Sequence, residues 1–343
     1  MSDCVVCKCS ARRINRMVML PVTHEPGRHC ASTGIRDIVA SMGLDWTEAF
    51  CFGIGAGLGI WYIDTNGQSP TRMVHVRSAD IEREFFTRIG VPFEWQRFED
   101  SKEGEEALCK SLDQGMPTLL RTDIYYLPHF PSTTHFPGHV IVVWGYDSGR
   151  KVFFVTDTEH PGVLEVPFDD MRKARYCRGG FFDVMGDQFS VAGIDAPQDM
   201  PRIITEAVAA NSSLLLDREW PFQGLAGLET WRREMAGDWA SYDDWKWTAR
   251  FAYQVIEKRG TGGGGFRLMY ADFLDEASRF VPEIAQMGLA GMMRDLGMAW
   301  SGLAFALKKV SEMEQPDFGP AIEKLDLVID IEAGYHRKAV LLK

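Results

Sequence analysis

The pattern of apolar and polar residues predicts a well-defined helix just after residue 30. Four apolar residues recur at i, i+3, i+4 and i+7, on one helical face: Ile35, Ile38, Val39 and Met42. Gly43 follows where a left-handed residue ends such a helix. Cys30 therefore lies at or next to the helix N-terminus, where unpaired backbone N–H groups and the helix dipole favour a thiolate. Cys30 is a candidate nucleophile, and a small buried structural cysteine is the alternative.

A second pattern predicts a β-hairpin about a hundred residues downstream. Two runs rich in β-branched and aromatic residues flank Asp147-Ser148-Gly149. If these three residues are the loop, His139 lies directly opposite Asp157, whereas a two-residue turn would place them on opposite faces. A carboxylate that holds one imidazole nitrogen leaves the other to face a thiol. The predicted catalytic residues are therefore Cys30, His139 and Asp157.

Alternatives remain for the catalytic base. An isolated His–Asp pair at the end of a hairpin is commonly a surface pair. His135 competes with His139 as the base, although it lies in a loop between Pro131 and Pro137 rather than on a strand.

Glycine-rich segments suggest where a substrate approaches. Glycines alternate with apolar residues from 53 to 59, which predicts a strand with a bare face that a ligand or another backbone can approach, at the edge of the cleft. A second glycine-rich stretch, 259–267, is either an anion cradle assisted by Arg267 or a plain helix–helix connection. The predicted substrate-binding residues are His24, His29, Glu48, Gly55, Gly57, Trp61, Tyr62, Tyr125, Tyr126 and Arg267.

The element pattern predicts three parts in the 343 residues, with strands and helices in the second part and helices in the third. Residues 1–16 form a flexible tail, 17–194 a catalytic domain, and 195–343 a helical domain. The net charge of −11 argues against nucleic-acid binding, because phosphate contacts need a basic face. No apolar run reaches the length of a membrane span, and we expect a cytoplasmic protein.

The seven cysteines do not predict a disulfide framework, because their number is odd and their spacing uneven. Cys4, Cys7 and Cys9 form a C-x-x-C-x-C cluster that invites a zinc interpretation, with His24 and His29 as further ligands. Zinc prefers four ligands and no second cysteine pair follows. We therefore favour a reduced N-terminal tail and predict neither a metal nor a cofactor.

Several segments resemble the butirosin biosynthesis protein H family. They are RHCASTG, WTEAFCFGIGAGLGIWY, and HVIVVWGYD followed by VFFVTD. The later RGTGGGGFRLMYADFLDEASRF resembles the uncharacterised helical domain that commonly follows. The likeness extends over most of the chain from about Pro21.

The resemblance implies an α+β fold with a papain-like, cysteine-peptidase-like domain, and an acyl transfer. In the founding member of the family, an acyl chain moves from an acyl carrier protein thioester to an amine on an aminoglycoside. By resemblance, Cys30 is the nucleophile, His139 the general base and Asp157 the orienting carboxylate. Papain-like enzymes often carry an oxyanion-binding glutamine six residues before the cysteine, where this chain has His24. The oxyanion donor is therefore open between the backbone N–H of Cys30 and a side chain among Thr23, His24 and His29.

Three functions follow as hypotheses. The first is a thiol acyltransferase in bacterial secondary metabolism, whose partners are an acyl carrier protein or small thioester donor and a small-molecule amine. The second is a cysteine amidase or peptidase that uses the same residues with water. The third is a silent binding domain whose cysteine is structural. The basic run Arg172–Arg175 is a candidate contact for an acidic carrier protein. The sequence leaves open whether the protein forms a homodimer.

Overall fold

The computed structural model describes residues 15–178 and 183–342. The helices are α1 Cys30–Ser41, α2 Glu48–Ile54, α3 Ile81–Arg88, α4 Ser101–Asp113, α5 Phe168–Ala174, α6 Met200–Leu216, α7 Gly224–Gly237, α8 Trp245–Glu257, α9 Arg267–Ala277, α10 Pro282–Gln286, α11 Leu289–Ser311 and α12 Gly319–Ala339. The strands are β1 Met17–Met19, β2 Leu58–Asp64, β3 Arg72–Arg77, β4 Thr118–Asp123, β5 Pro137–Asp147, β6 Val152–Thr156, β7 Leu164–Pro167 and β8 Gln188–Ser190. With about 49% helix and 15% strand, the predicted α+β class is confirmed.

The chain forms two compact units. Among the described residues, those within 1–22, 96–156 and 162–192 form the sheet unit, and those within 23–95, 157–161 and 193–343 form the helical unit. The last segment of the helical unit begins at Gly193. The Cys4/Cys7/Cys9 cluster and most of the predicted tail lie outside the described residues. Among the described helices, none combines the length and apolar character that a bilayer span requires.

The sheet unit is built on antiparallel strands in the order β7-β6-β5-β4-β8, with β1 paired to β5. Helix α4 begins where Asp100 accepts the backbone N–H groups of Lys102 and Glu103. Leu108 and Leu112, one turn apart on α4, are buried in the same hydrophobic core as inward-facing residues of β5 and β6. This packing supports β5, the strand that carries His139.

The β5–β6 hairpin exists, but its predicted register is wrong. Asp147 pairs with Val152 across a four-residue loop in which Lys151, rather than Gly149, has a positive φ of 55°. A bulge between Val143 and Gly145 shifts the register again. The ladder ends at Val142 and Thr156, so the strand pairing does not place His139 directly opposite Asp157. His139 is paired instead with Thr122 of β4.

The first half of the glycine segment is helical rather than extended, which corrects the predicted strand. Gly53 lies within α2, and Gly55 is its C-terminal cap. A Cβ atom at Gly53 would lie 2.0 Å from the ring of Phe273, so the glycine allows α9 to pack closely on α2. Gly59 does lie in a strand, and a Cβ there would lie 2.3 Å from the carbonyl oxygen of Arg77. The close backbone approach predicted at this string is therefore found at Gly59.

The helical character predicted for the C-terminal part is confirmed from α6 to α12. Gly288 adopts a left-handed conformation that separates α10 from α11. A polar cluster is buried here: Arg267 of α9 contacts Glu332 of α12, and Glu332 also accepts the indole N–H of Trp300 at 2.7 Å. Nε2 of His336 lies 2.8 Å from the other oxygen of Glu332.

Candidate active site

Cys30 is the first residue of α1, as the sequence predicts. His29 is the N-cap, and its Nδ1 accepts the backbone N–H of Ser32 at 3.3 Å. Of the predicted apolar face, Ile35, Ile38 and Val39 are buried and Met42 is a partly exposed C-cap, and Gly43 adopts a φ of 88° after the helix. Cys30 is partly exposed and forms no disulfide with another cysteine of the described chain. It thus lies at a helix N-terminus, the environment that favours a thiolate.

The carboxylate of Glu48 holds the turn around Cys30. It accepts the backbone N–H groups of Arg28 and His29 at 2.9 and 2.8 Å. The hydroxyls of Ser32 and Thr33 donate to it at 3.0 and 3.1 Å. Its oxygens are therefore engaged on both sides of the cysteine, which makes Glu48 a positioning residue rather than an open substrate contact.

The glycine loop between α8 and α9 lies against the same turn. A Cβ at Gly260 would lie 2.8 Å from the carbonyl oxygen of Arg28, and the φ of Gly260 is 72°. Within the loop, the N–H of Gly264 donates to Glu257 at 2.9 Å. Phe266 follows the loop, and its ring lies edge-on to His29 with centroids 5.3 Å apart. Because a carboxylate already accepts one of its N–H groups, the loop acts as a buttress for residues 28 and 29 and not as the anion cradle considered from sequence.

The guanidinium of Arg267 is fully buried, which corrects its expected role as an open anion contact. Its Nε donates to Glu332 at 2.8 Å, and its Nη1 donates to the carbonyl oxygen of Gly265 at 2.7 Å. Burial lowers the pKa of Arg267, although Glu332 opposes this effect.

The other predicted contacts in residues 55–62 are packing positions. A Cβ at Gly55 would lie 2.8 Å from Ile81, and one at Gly57 would lie 2.6 Å from the ring of Phe52. Tyr62 is buried, its hydroxyl donates to Glu234 at 2.8 Å, and burial raises its pKa. Trp61 is partly exposed and is the member of this group that solvent reaches.

Asp157 is tied to the segment that precedes Cys30, in the same unit. The N–H of Gly27 donates to the carbonyl oxygen of Thr158 at 2.7 Å. Nε2 of His24 lies 2.7 Å from the carbonyl oxygen of His160, and its Nδ1 lies 2.5 Å from Asp37. Asp157 itself is buried, with a hydrogen bond from the Thr158 hydroxyl at 2.9 Å. Both ring nitrogens of His24 therefore already have partners, and the contact with His160 holds residues 157–161 against the segment before Cys30.

Burial alone would lower the pKa of His24, but the hydrogen bond to Asp37, the charge of Asp37 and the carbonyl oxygen of His160 together leave the pKa raised. A charged imidazole fits the geometry, since a carboxylate and a carbonyl both accept from the ring.

His139 lies on β5 of the sheet unit and is largely buried. Its ring is edge-on to Phe130 with centroids 5.1 Å apart, and its carbonyl oxygen accepts the hydroxyl of Thr122 at 3.0 Å. The strand pairing to β4 thus fixes the backbone from which the imidazole projects.

Tyr125 and Tyr126 belong to a cluster of side chains of which the sequence predicted only some members. The ring of Tyr125 stacks on His135 with centroids 4.2 Å apart, while its own side chain is exposed. Nδ1 of His135 lies 2.7 Å from Asp123 and 3.8 Å from the sulfur of Cys177. Neither Asp123 nor Cys177 was singled out from sequence, because 54 residues separate them in the chain.

The pKa values of Asp123 and Cys177 in this cluster are shifted in opposite directions. Burial opposes the charged form of Asp123, but hydrogen bonds from Cys177 and His135 outweigh it and lower the pKa. Burial and the hydrogen bond to Asp123 raise the pKa of Cys177 to about 12.

The basic run at the end of α5 is largely neutralised within the sheet unit. Arg172 contacts Glu105 at 2.8 Å and Asp169 at 2.7 Å. Arg175 is buried and donates to the carbonyl oxygens of Gly104 and Gly186. The run therefore does not provide the free basic patch that was expected to contact a carrier protein.

An α+β chain with a partly exposed cysteine at the start of a helix is the class that the fold and site define. A family model described as Butirosin biosynthesis protein H, N-terminal, matches residues 29–158, and one for a domain of unknown function (DUF4872) matches residues 169–339. The predicted likeness to the butirosin biosynthesis protein H family is confirmed, with residues 29–158 matching its N-terminal domain and the helical domain following in the expected order. No curated protein matches the chain.

Proposed function

We propose that the protein is a cysteine-dependent acyltransferase that moves an acyl or aminoacyl group from a thioester to an amine in bacterial secondary metabolism. The observation that carries the proposal is Cys30, partly exposed at the first position of a twelve-residue helix and held there by Glu48. The description of the matching family, a butirosin biosynthesis protein, supports a biosynthetic role with small-molecule substrates.

In the proposed first step, His139 takes the thiol proton and the Cys30 sulfur attacks the thioester carbonyl. The carbon–sulfur bond to the donor breaks, and the donor thiol leaves with the proton from the imidazole. The backbone N–H of Cys30 is a proposed donor to the oxyanion. The side chain of His24 is a weaker candidate, because its two nitrogens already contact Asp37 and the carbonyl oxygen of His160.

In the proposed second step, an amine attacks the acyl group on Cys30. Its proton passes to His139 and then to the departing cysteine sulfur, which restores the enzyme. Asp157 orients the imidazole in this proposal, which is supported by the hydrogen bonds that join its loop to the segment before Cys30. Water in place of the amine would give hydrolysis, so the acceptor defines the reaction.

Intact-protein mass spectrometry with short acyl thioesters tests the proposal. We expect one acyl adduct per chain on the wild type and none on Cys30→Ala. Cys109→Ala is the matched control, because burial raises the pKa of that thiol to about 12 and it should not react. An adduct that persists in Cys30→Ala, or its absence across acyl-thioester and carrier-bound donors, contradicts the assignment and favours a binding domain.

Two further variants test the base. His139→Ala should slow acylation by about 100-fold or more, the usual contribution of a general base, while His135→Gln should retain the rate. The reverse result would move the role to His135. Adding amines to the preformed acyl-enzyme then separates transfer, seen as an acylated amine, from hydrolysis, seen as free acid.

A further inference from the structure

The geometry points to a binding site for a zinc-class divalent metal ion formed by Asp123, His135 and Cys177, within the sheet unit and separate from Cys30. One ligand atom from each residue lies within 4.8 Å of the other two. The three residues come from the end of β4, the loop before β5 and the segment after α5. A metal would join these three segments.

The two closest contacts meet at a single nitrogen, which distinguishes this cluster from a second catalytic triad. Nδ1 of His135 faces both the Oδ2 atom of Asp123 at 2.7 Å and the sulfur of Cys177 at 3.8 Å. In a triad the carboxylate and the thiol occupy opposite nitrogens of the imidazole. Convergence of an oxygen, a nitrogen and a sulfur on one point is the arrangement of metal ligands.

The carboxylate is already oriented for this role. Oδ1 of Asp123 accepts the backbone N–H groups of Tyr125 at 3.1 Å and Phe136 at 2.9 Å, which leaves Oδ2 directed at His135. The stacked ring of Tyr125 restrains the imidazole. Hydrogen bonds that orient the ligands are characteristic of built metal sites.

The donor set selects the class of ion. One thiolate, one imidazole and one carboxylate suit Zn²⁺, whereas Mg²⁺ and Ca²⁺ prefer oxygen alone. Bond lengths of about 2.0 Å to nitrogen and 2.3 Å to sulfur in a tetrahedron separate these atoms by about 3.5 Å, close to the 3.8 Å found between His135 and Cys177. Asp123 would move outward by about half an ångström as the ion replaces the shared proton.

The site has access to solvent, since the side chain of His135 is 49% exposed while that of Asp123 is fully buried. The three described residues leave a fourth tetrahedral position for water. From the sequence, only the N-terminal cysteines with His24 and His29 were considered as metal ligands. The site inferred here uses His135, which the sequence suggested only as an alternative catalytic base.

Cobalt titration of the full-length protein, stripped of metal with a chelator, tests this inference. We expect one equivalent of Co²⁺ to bind, with thiolate-to-cobalt charge-transfer absorption and tetrahedral d–d bands, and Zn²⁺ to displace it. The wild-type spectrum does not depend on the folding of any variant. Failure of the wild type to develop thiolate absorption would overturn the inference.

Variants assign the site. Cys177→Ser should abolish the charge-transfer band, and His135→Gln should weaken binding by about tenfold or more, with circular dichroism confirming the fold. Cys109→Ser and Cys30→Ala should bind as the wild type does. A variant with Cys4, Cys7 and Cys9 replaced by serine must retain the bound equivalent; loss of the band there, or its survival in Cys177→Ser, places the metal elsewhere and refutes the site.

Discussion

The backbone N–H of His29 donates to the carboxylate of Glu48 at 2.8 Å, one residue before Cys30. The same carboxylate accepts hydroxyls from Ser32 and Thr33 in the first turn of α1. A single acidic residue on α2 thus determines the backbone path through the proposed nucleophile. The position of the cysteine depends on this contact as much as on the helix itself.

Replacing Glu48 should therefore affect both stability and reactivity. Glu48→Ala should lower the free energy of unfolding by about 3 kcal/mol, because several hydrogen bonds to a charged acceptor are lost. Alkylation of Cys30 by iodoacetamide should become slower as the helix start loosens. Denaturant unfolding and mass-resolved alkylation measure the two effects. Glu314→Gln, at an exposed position, is the control, and equal behaviour of the two variants would refute the positioning role.

The glycine loop should be intolerant of a side chain. Gly260→Ala places a Cβ 2.8 Å from the carbonyl oxygen of Arg28 at a φ of 72°, and we expect a loss of about 2 kcal/mol. Gly291→Ala is the matched control on α11, because nothing lies within 4 Å of its Cβ position. It should be neutral or slightly stabilising. Thermal unfolding compares them, and an unaffected Gly260→Ala protein contradicts the buttress role of the loop.

The His24–Asp37 pair should contribute stability at low pH. The pKa of His24 is raised in the folded state, so its contribution is fully present below the unfolded value of about 6.5 and is lost as pH rises through the higher folded value. His24→Gln should cost about 2 kcal/mol at pH 6 and less at pH 9. Denaturation of both proteins across this range measures the difference; a gap that widens with pH would contradict the charged pair. Arg36, the neighbouring cation, opposes the shift.

The comparison must use the difference between wild type and variant, because another histidine acts in the opposite direction. Burial lowers the pKa of His75 from 6.5 to about 3. Its contribution to folding stability is therefore present above pH 6.5 and is lost as the pH falls toward 3.

Replacing one partner of the buried Arg267–Glu332 pair should strongly destabilise the folded protein. Glu332→Gln leaves the guanidinium without its counter-charge and should reduce the free energy of unfolding by about 4 kcal/mol. Glu312→Gln, which breaks the exposed contact with Arg250, should change stability little. Urea denaturation at neutral pH distinguishes them, and similar effects of both variants would show that burial does not amplify the pair.

The Arg267–Glu332 pair should also make the stability of the folded protein decrease in acid. Burial would raise the pKa of Glu332, but Arg267, His336 and Trp300 together lower the pKa to about 2. The contribution is therefore present above the unfolded value of about 4.5 and is lost as pH falls toward 2.

The sequence by itself determined the local elements. A 3.6-residue apolar period located α1 and placed Cys30 at its start, and an apolar run around a polar turn located the β5–β6 hairpin. Both patterns depend on residues close together in the chain, where backbone geometry converts spacing directly into a shared face. The helical character of the C-terminal part follows for the same reason.

Only the tertiary structure decided the pairings between distant residues. The bulge at Val143–Gly145 changed the hairpin register, and the ring of Phe273 occupies the space beside Gly53 in what proved to be a helix. The buried partner of Arg267 lies 65 residues away. The meeting of Asp123 and His135 with Cys177 depends on how loops pack, and periodicity carries no information about such packing because it describes the face of an element and not its neighbour.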